Sequence, residues 1–164
     1  MSESAERLVA NPHLASLTLD EAEALLQRSA RFTFARGDML LREGEEGESM
    51  IVLDEGRVEV RRGGRDLATL EPGATIGEMA LLDPAPRSAT AVAMTDGVAF
   101  EVSRKQLWEL LADGDPIAIK ILQGLTGTVC ARLGDVNNLV QEEVVKPEGS
   151  VFSRLWKSVS RLGR

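Results

Sequence analysis

Residues 76–91 read Ile76-Gly77-Glu78-Met79-Ala80-Leu81-Leu82-Asp83-Pro84-Ala85-Pro86-Arg87-Ser88-Ala89-Thr90-Ala91. Within these sixteen positions stand a glycine, a carboxylate and an arginine. A glycine that enters a short helix lets the backbone come close to an anion, and the free amides at the helix start donate to it. Gly77 and the amides of Glu78, Met79 and Ala80 fit that role. A forked guanidinium is the best single partner for a phosphate, and Arg87 supplies one. Glu78 is an acceptor for a hydroxyl of the same ligand, and Ser88 offers a hydroxyl either to the ligand or to a local turn. Pro84 and Pro86 restrict the loop that carries Arg87, so less entropy is lost when it closes on a ligand.

Upstream and downstream of this stretch, from Phe32 to Val102, short apolar or alternating runs recur: Met39–Leu41, Met50–Leu53, Val58–Val60, Leu67–Leu70, Thr90–Met94 and Val98–Val102. Turns at Gly37, Gly47, Gly56, Gly63-Gly64, Gly73 and Gly97 separate them. Short strands at such spacing predict a β-barrel or jelly roll. Helices flank it. Thr18-Leu-Asp-Glu21 is a capping box opening an amphipathic leading helix to about Ser29, with Leu19, Ala22, Leu25 and Leu26 on one face. Ser103-Arg-Lys-Gln106 reads as a second box, before a helix burying Leu107, Leu110 and Leu111. Asp115-Pro116 opens a longer helix, predicted to about Val145, in which Ala118, Leu122, Leu125, Val129, Val136 and Leu139 approximate a heptad seam broken by Arg132. Gly124, Gly127 and Gly134 weaken that helix by about 1 kcal/mol each relative to Ala. The predicted class is α+β: a jelly roll with a leading helix, a short helix after Gly77 and C-terminal helices.

The order Gly77, Glu78, Ala80, Leu81, Pro86, Arg87 and Ala89 resembles the phosphate-binding cassette of cyclic nucleotide-binding domains, as in protein kinase A regulatory subunits and bacterial catabolite-activator proteins. Many members carry Phe where this chain has Ile76. The resemblance spans roughly residues 30–145, with Gly44, Gly47, Gly56 and Gly73 at the family's turns. It implies a non-enzymatic, bacterial-type sensor of cAMP or cGMP, with ligand contacts from Gly77, Glu78, Met79, Ala80, Arg87, Ser88 and Ala89. In bacterial activators the long helix pairs two subunits and reaches the nucleotide base. Aligned on Ala131-Arg132-Leu133, it places Val136-Asn137 where that family often has Thr-Ser, so Asn137 is expected to read the base, and the chain to form a homodimer.

Other readings are narrowed by composition. The chain has 164 residues and a net charge of −7, enough for one buried core and unfavourable for non-specific nucleic-acid binding. One Cys excludes a disulfide framework, and the N-terminus shows no signal region, which together suit a cytoplasmic protein. Metal-dependent cupin enzymes share this type of barrel but need several histidines. The one His here, His13, precedes the first predicted element and is expected at the surface. Cys130 and the Ser and Thr hydroxyls lack a visible base, so no enzyme site, metal or cofactor is expected.

Beyond the predicted helix, residues 146–150 read as a linker, and Val151, Phe152, Leu155, Trp156, Val159 and Leu162 lie at helical spacing opposite Arg154, Lys157, Arg161 and Arg164. The expected organisation is 1–145 sensor, 146–150 linker and 151–164 basic amphipathic tail. Removing the tail's four positive charges from −7 leaves −11 on residues 1–150. Three surfaces suit such a tail: the acidic body, a protein partner or an anionic membrane surface. A helix-turn-helix needs several tens of residues, so DNA is not an expected partner. The alternative function is an interaction scaffold of the same fold, controlled by a protein partner, with weak or vestigial nucleotide binding.

Overall fold

A computed structural model describes residues 2–127, 129 and 130. Residues Met1–Leu125 form one compact unit and Thr126–Arg164 a second. The first opens with α1 (Glu3–Val9) and α2 (Leu19–Arg28). Next come β1 (Ala30–Phe34), β2 (Met39–Leu41), β3 (Ser49–Glu55), β4 (Val58–Arg62), β5 (Arg65–Leu70) and β6 (Thr75–Ile76). A 3₁₀ helix, Glu78–Leu81, then leads to β7 (Thr90–Ala93), β8 (Gly97–Ser103) and α3 (Arg104–Ala112). A further helix starts at 116.

The strands pair antiparallel into two four-stranded sheets, β1-β8-β3-β6 and β2-β7-β4-β5. The result is a jelly-roll sandwich rather than a closed barrel. One core joins the sheets through Phe34, Ile51, Leu53, Val58, Ile76 and Ala99. A second core lies where Met50, Val52, Phe100 and Val102 meet Leu8, Leu25, Leu107, Ile117, Ile121 and Leu125 of the helices. Strand β3 is therefore covered on both faces. This explains why Met50–Leu53 reads as an unbroken apolar run rather than an alternating one.

All six predicted strands are present, each end within two residues of its predicted place. Helix α1 and the strands β1 and β6 are additions to that reading. In α1 only Ala5 and Leu8 are buried, too few for a periodicity, although Ser2 caps the helix by accepting from the Ala5 amide. Strand β6 has two residues and no pattern to detect.

The predicted caps mostly form. Thr18 and Glu21 exchange both bonds of a capping box. Ser103 accepts from the Gln106 amide, but Gln106 Nε2 donates to the Arg28 carbonyl at 3.0 Å, so the second box is half made. Asp115 Oδ1 caps the helix at 116 through the Ile117 amide at 3.0 Å. Its carboxyl sits below the usual range because of that bond and the Arg28 guanidinium.

His13 is not a plain surface residue. It is half-buried, and its Nδ1 lies 3.0 Å from Thr75 Oγ1. Nearby, Asn11 Nδ2 donates to the Gly73 carbonyl at 2.9 Å and Arg7 Nη1 to the Asp54 carbonyl at 2.7 Å. Helix α1 and the turn after it thus fix the chain just before β6, which delivers Gly77.

The helix at 116 turns its first residues inward. Ala118 and Leu125, expected on an intersubunit seam, are fully buried in the chain's own core. The physical reason is a second apolar stripe, since Ile117 and Ile121 are also buried and widen the inward face. Val136, Leu139, Arg132, Gly134, Asn137, the linker and the tail lie outside the described residues.

Gly124 is set against the His13 carbonyl so closely that a Cβ there would overlap it. Gly127 has open space among the described residues. Gly124→Ala should therefore destabilise, because overpacking costs about 1–3 kcal/mol and outweighs a helix-propensity gain of about 1 kcal/mol. Gly127→Ala, with no such clash, should stabilise by up to about 1 kcal/mol. Urea midpoints of the two variants should move in opposite directions.

Candidate functional site

Strand β6 ends at Ile76 and Gly77 takes φ 74°, the left-handed region that glycine occupies without strain. The chain then enters the 3₁₀ helix Glu78–Leu81, whose start carries no side-chain cap. Glu78 is buried, with 7 % of its surface exposed, at the first position of this turn. Met79 is half-buried, and its carbonyl accepts from the Leu82 and Asp83 amides at 3.0 Å each. Ala80 is buried, and its amide donates to the Gly77 carbonyl at 3.1 Å. That amide is occupied within the turn, so of the three amides expected to face an anion, Ala80's is engaged elsewhere. From α3, Trp108 Nε1 donates to the Leu81 carbonyl at 3.3 Å and ties the far end of the turn.

The return segment is stitched to the loop between β2 and β3. The Arg87 amide donates to the Glu45 carbonyl at 2.8 Å, and the Gly44 amide to the Arg87 carbonyl at 2.9 Å. Pro86 forms a β-bridge with Glu46. Backbone on both sides therefore sets where the Arg87 side chain begins.

Its guanidinium reaches back across the site. Nη1 donates to the carbonyls of Ser49 at 2.6 Å and Gly77 at 3.2 Å, and Nη2 meets Ser49 Oγ at 3.3 Å. These bonds use the Nη1 side of the fork. Nε makes no hydrogen bond among the described residues, so the edge formed by Nε and the adjoining Nη2 hydrogen can still grip an anion through two parallel bonds.

Two glycines make room for this pose. A Cβ at Gly47 would overlap Nε, and one at Gly77 would overlap Nη1. Burial holds the guanidinium below the ordinary arginine range, and the Glu101 charge opposes that shift. The group stays cationic and partly dry, the condition in which a charge-assisted bond is strongest.

Gly77, Glu78 and Arg87 thus lie in one short segment folded back on itself, as their spacing suggests. Ser88 is exposed and Ala89 half-buried beside Arg87. Asn137 lies outside the described residues. Ser49, which binds the Arg87 guanidinium, and Gly47, which leaves room for it, are not legible in the sequence as parts of this site. Both sit about forty positions upstream in Glu45-Glu46-Gly47-Glu48-Ser49, where Gly47 reads only as a turn. Among the described residues no group of three or more His, Cys, Asp or Glu side chains is arranged to hold a metal ion. No helix there is long and apolar enough to cross a membrane.

The chain is 26% identical over 145 residues to the CRP-like cAMP-activated global transcriptional regulator of Mycobacterium tuberculosis, covering 85% of this chain and 63% of that protein. It is 34% identical over 80 residues to the cAMP-dependent protein kinase regulatory subunit of Eremothecium gossypii, covering 49% of this chain and 18% of that one. The chain therefore spans less than two thirds of the length of these curated relatives. Among solved structures, the N-terminal domain of a transcriptional regulator from Streptomyces coelicolor superposes with a TM-score of 0.69 at 31% identity, over 84% of this chain and 95% of that one. The family model described as cyclic nucleotide-binding domain matches residues 31–113, a span that holds both sheets, Gly77, Glu78 and Arg87. On that match, and on the cassette it contains, the chain belongs to the cyclic nucleotide-binding domain family.

Proposed function

We propose that this chain is a non-enzymatic regulatory module that binds cAMP or cGMP. The observation that carries the reading is the pose of Arg87, held by Ser49 and Gly77 with one edge of its fork left for a phosphate. A cyclic phosphate bears one negative charge, which that edge matches. Buried Glu78 accepts a hydrogen bond from a ribose hydroxyl. Gly77 and the amides of Glu78 and Met79 line the phosphate side, and Ser88 and Ala89 flank Arg87. Ala80 serves by packing the turn against the core. Relatives named for cAMP binding support this ligand class.

In this reading the signal leaves through the helix that begins at 116, by differential affinity of the ligand for two arrangements of that helix. Asn137 contacts the base, and residues 151–164 engage a protein partner or an anionic surface. The setting is cytoplasmic, and the working unit is a homodimer. Because Ala118 and Leu125 are taken up by the chain's own core, the dimer contact is assigned to later residues of the heptad pattern, Val136 and Leu139. Light scattering on the full chain should give a dimer that Val136→Asp with Leu139→Asp dissociates. A wild-type monomer at tens of micromolar contradicts this assembly.

The ligand is tested by calorimetry of the full chain against cAMP, cGMP and the corresponding 5′-monophosphates. Saturable binding of one nucleotide per chain supports the sensor. Its absence would leave the partner-controlled scaffold as the better account.

A further inference from the structure

Arg87 opens onto a cleft of about 460 Å³ that is also lined by Ser49, Glu45, Glu46, Glu48 and Glu101. The acids differ in their partners. Glu45 pairs with Arg42 at 3.6 Å and Glu48 with Arg104 at 3.4 Å. Glu101, like Glu46, has no ion pair with a cation among the described residues. Its place follows from the register: β8 sets Glu101 opposite Ile51 and Ser103 opposite Ser49, so Glu101 shares a face with the residue that holds the Arg87 guanidinium.

A diester phosphate in a cyclic nucleotide carries one charge, whereas a phosphate monoester carries nearly two above its second pKa of about 6. Arg87 answers the first charge. Among the described residues lining this cleft the only further cation is Arg42, which is paired with Glu45, so the second charge would face a carboxylate. We infer that Glu101 is a specificity-determining residue that excludes dianionic 5′-monophosphates from the Arg87 site while admitting the cyclic monoanion. The Glu101 field is also felt by Arg87, whose hold on its proton it strengthens against burial. The inference rests on the sensor reading above.

The test is calorimetry of the full chain at pH 8 with cAMP and 5′-AMP, then cGMP and 5′-GMP, comparing wild type with Glu101→Gln. One repulsion between charges in a half-solvated cleft predicts that the cyclic preference falls by about three- to tenfold, mostly through tighter 5′-monophosphate binding. Glu101→Asp, which keeps the charge, should retain most of the preference. Glu109→Gln, on the exposed side of α3, should leave it unchanged. Raising salt should narrow the preference in wild type more than in Glu101→Gln.

An unchanged ratio in Glu101→Gln, or equal gains for cyclic and open phosphates, overturns the inference while the sensor reading stands. Wild type that binds no cyclic nucleotide overturns both. A ratio that falls equally in Glu101→Asp assigns the effect to shape and also overturns it.

Discussion

Arg87→Ala should weaken cyclic nucleotide binding by roughly 30-fold to several thousandfold. The magnitude comes from the loss of a charge-assisted pair in a partly dry site, about 2–5 kcal/mol, at about 1.4 kcal/mol per factor of ten. Half-burial of the guanidinium and its two carbonyl anchors argue against the small values typical of surface ion pairs. Glu78→Gln should cost less, because its carboxylate meets a neutral hydroxyl and the amide still offers an oxygen. A 2′-deoxy nucleotide should lose affinity for wild type and lose little more for Glu78→Ala. Calorimetric titrations of the variants with both nucleotides separate the two contacts.

Gly47→Ala should weaken the same binding by about tenfold or more with little loss of stability. The added Cβ would overlap Nε of Arg87, the end of a flexible side chain that can move aside, rather than backbone. Gly47 does not occupy the left-handed region, so alanine is conformationally acceptable there. The damage therefore falls on the pose of the guanidinium and not on the fold. A misplaced donor loses much of a bidentate bond, since such bonds weaken steeply with angle. Gly47→Ala should add almost nothing to the loss already caused by Arg87→Ala, and that non-additivity is its signature. Full additivity would mean that Gly47 acts by another route.

Six of the eight strands are legible because their signal is local: short apolar runs bounded by glycine turns, each of which forms. The cassette was legible for the same reason, with Gly77, Glu78 and Arg87 inside one continuous stretch. What could not be read depends on distant pairs. Nothing in the neighbourhood of Ser49 says that its carbonyl will hold Arg87, because that bond joins positions 38 residues apart. Helix propensity makes Gly124 a weak point in its helix, whereas in the fold it admits the His13 backbone. Ala118 and Leu125 matched a seam by periodicity, yet periodicity gives the face and not the partner, and here the partner is the chain's own core. A barrel and a sandwich share one strand pattern, and only the pairing distinguishes them.

The central claim is that Arg87, Gly77 and Glu78 together hold a cyclic nucleotide. Its most direct measurement is a pair of calorimetric titrations of the full chain with cAMP and with cGMP, carried to millimolar ligand. The account predicts saturable binding of at least one of them, one per chain, strongly reduced in Arg87→Ala. Absence of binding to either nucleotide at about 1 mM, equivalent to less than about 4 kcal/mol of affinity, would contradict it, as would wild-type affinity in Arg87→Ala.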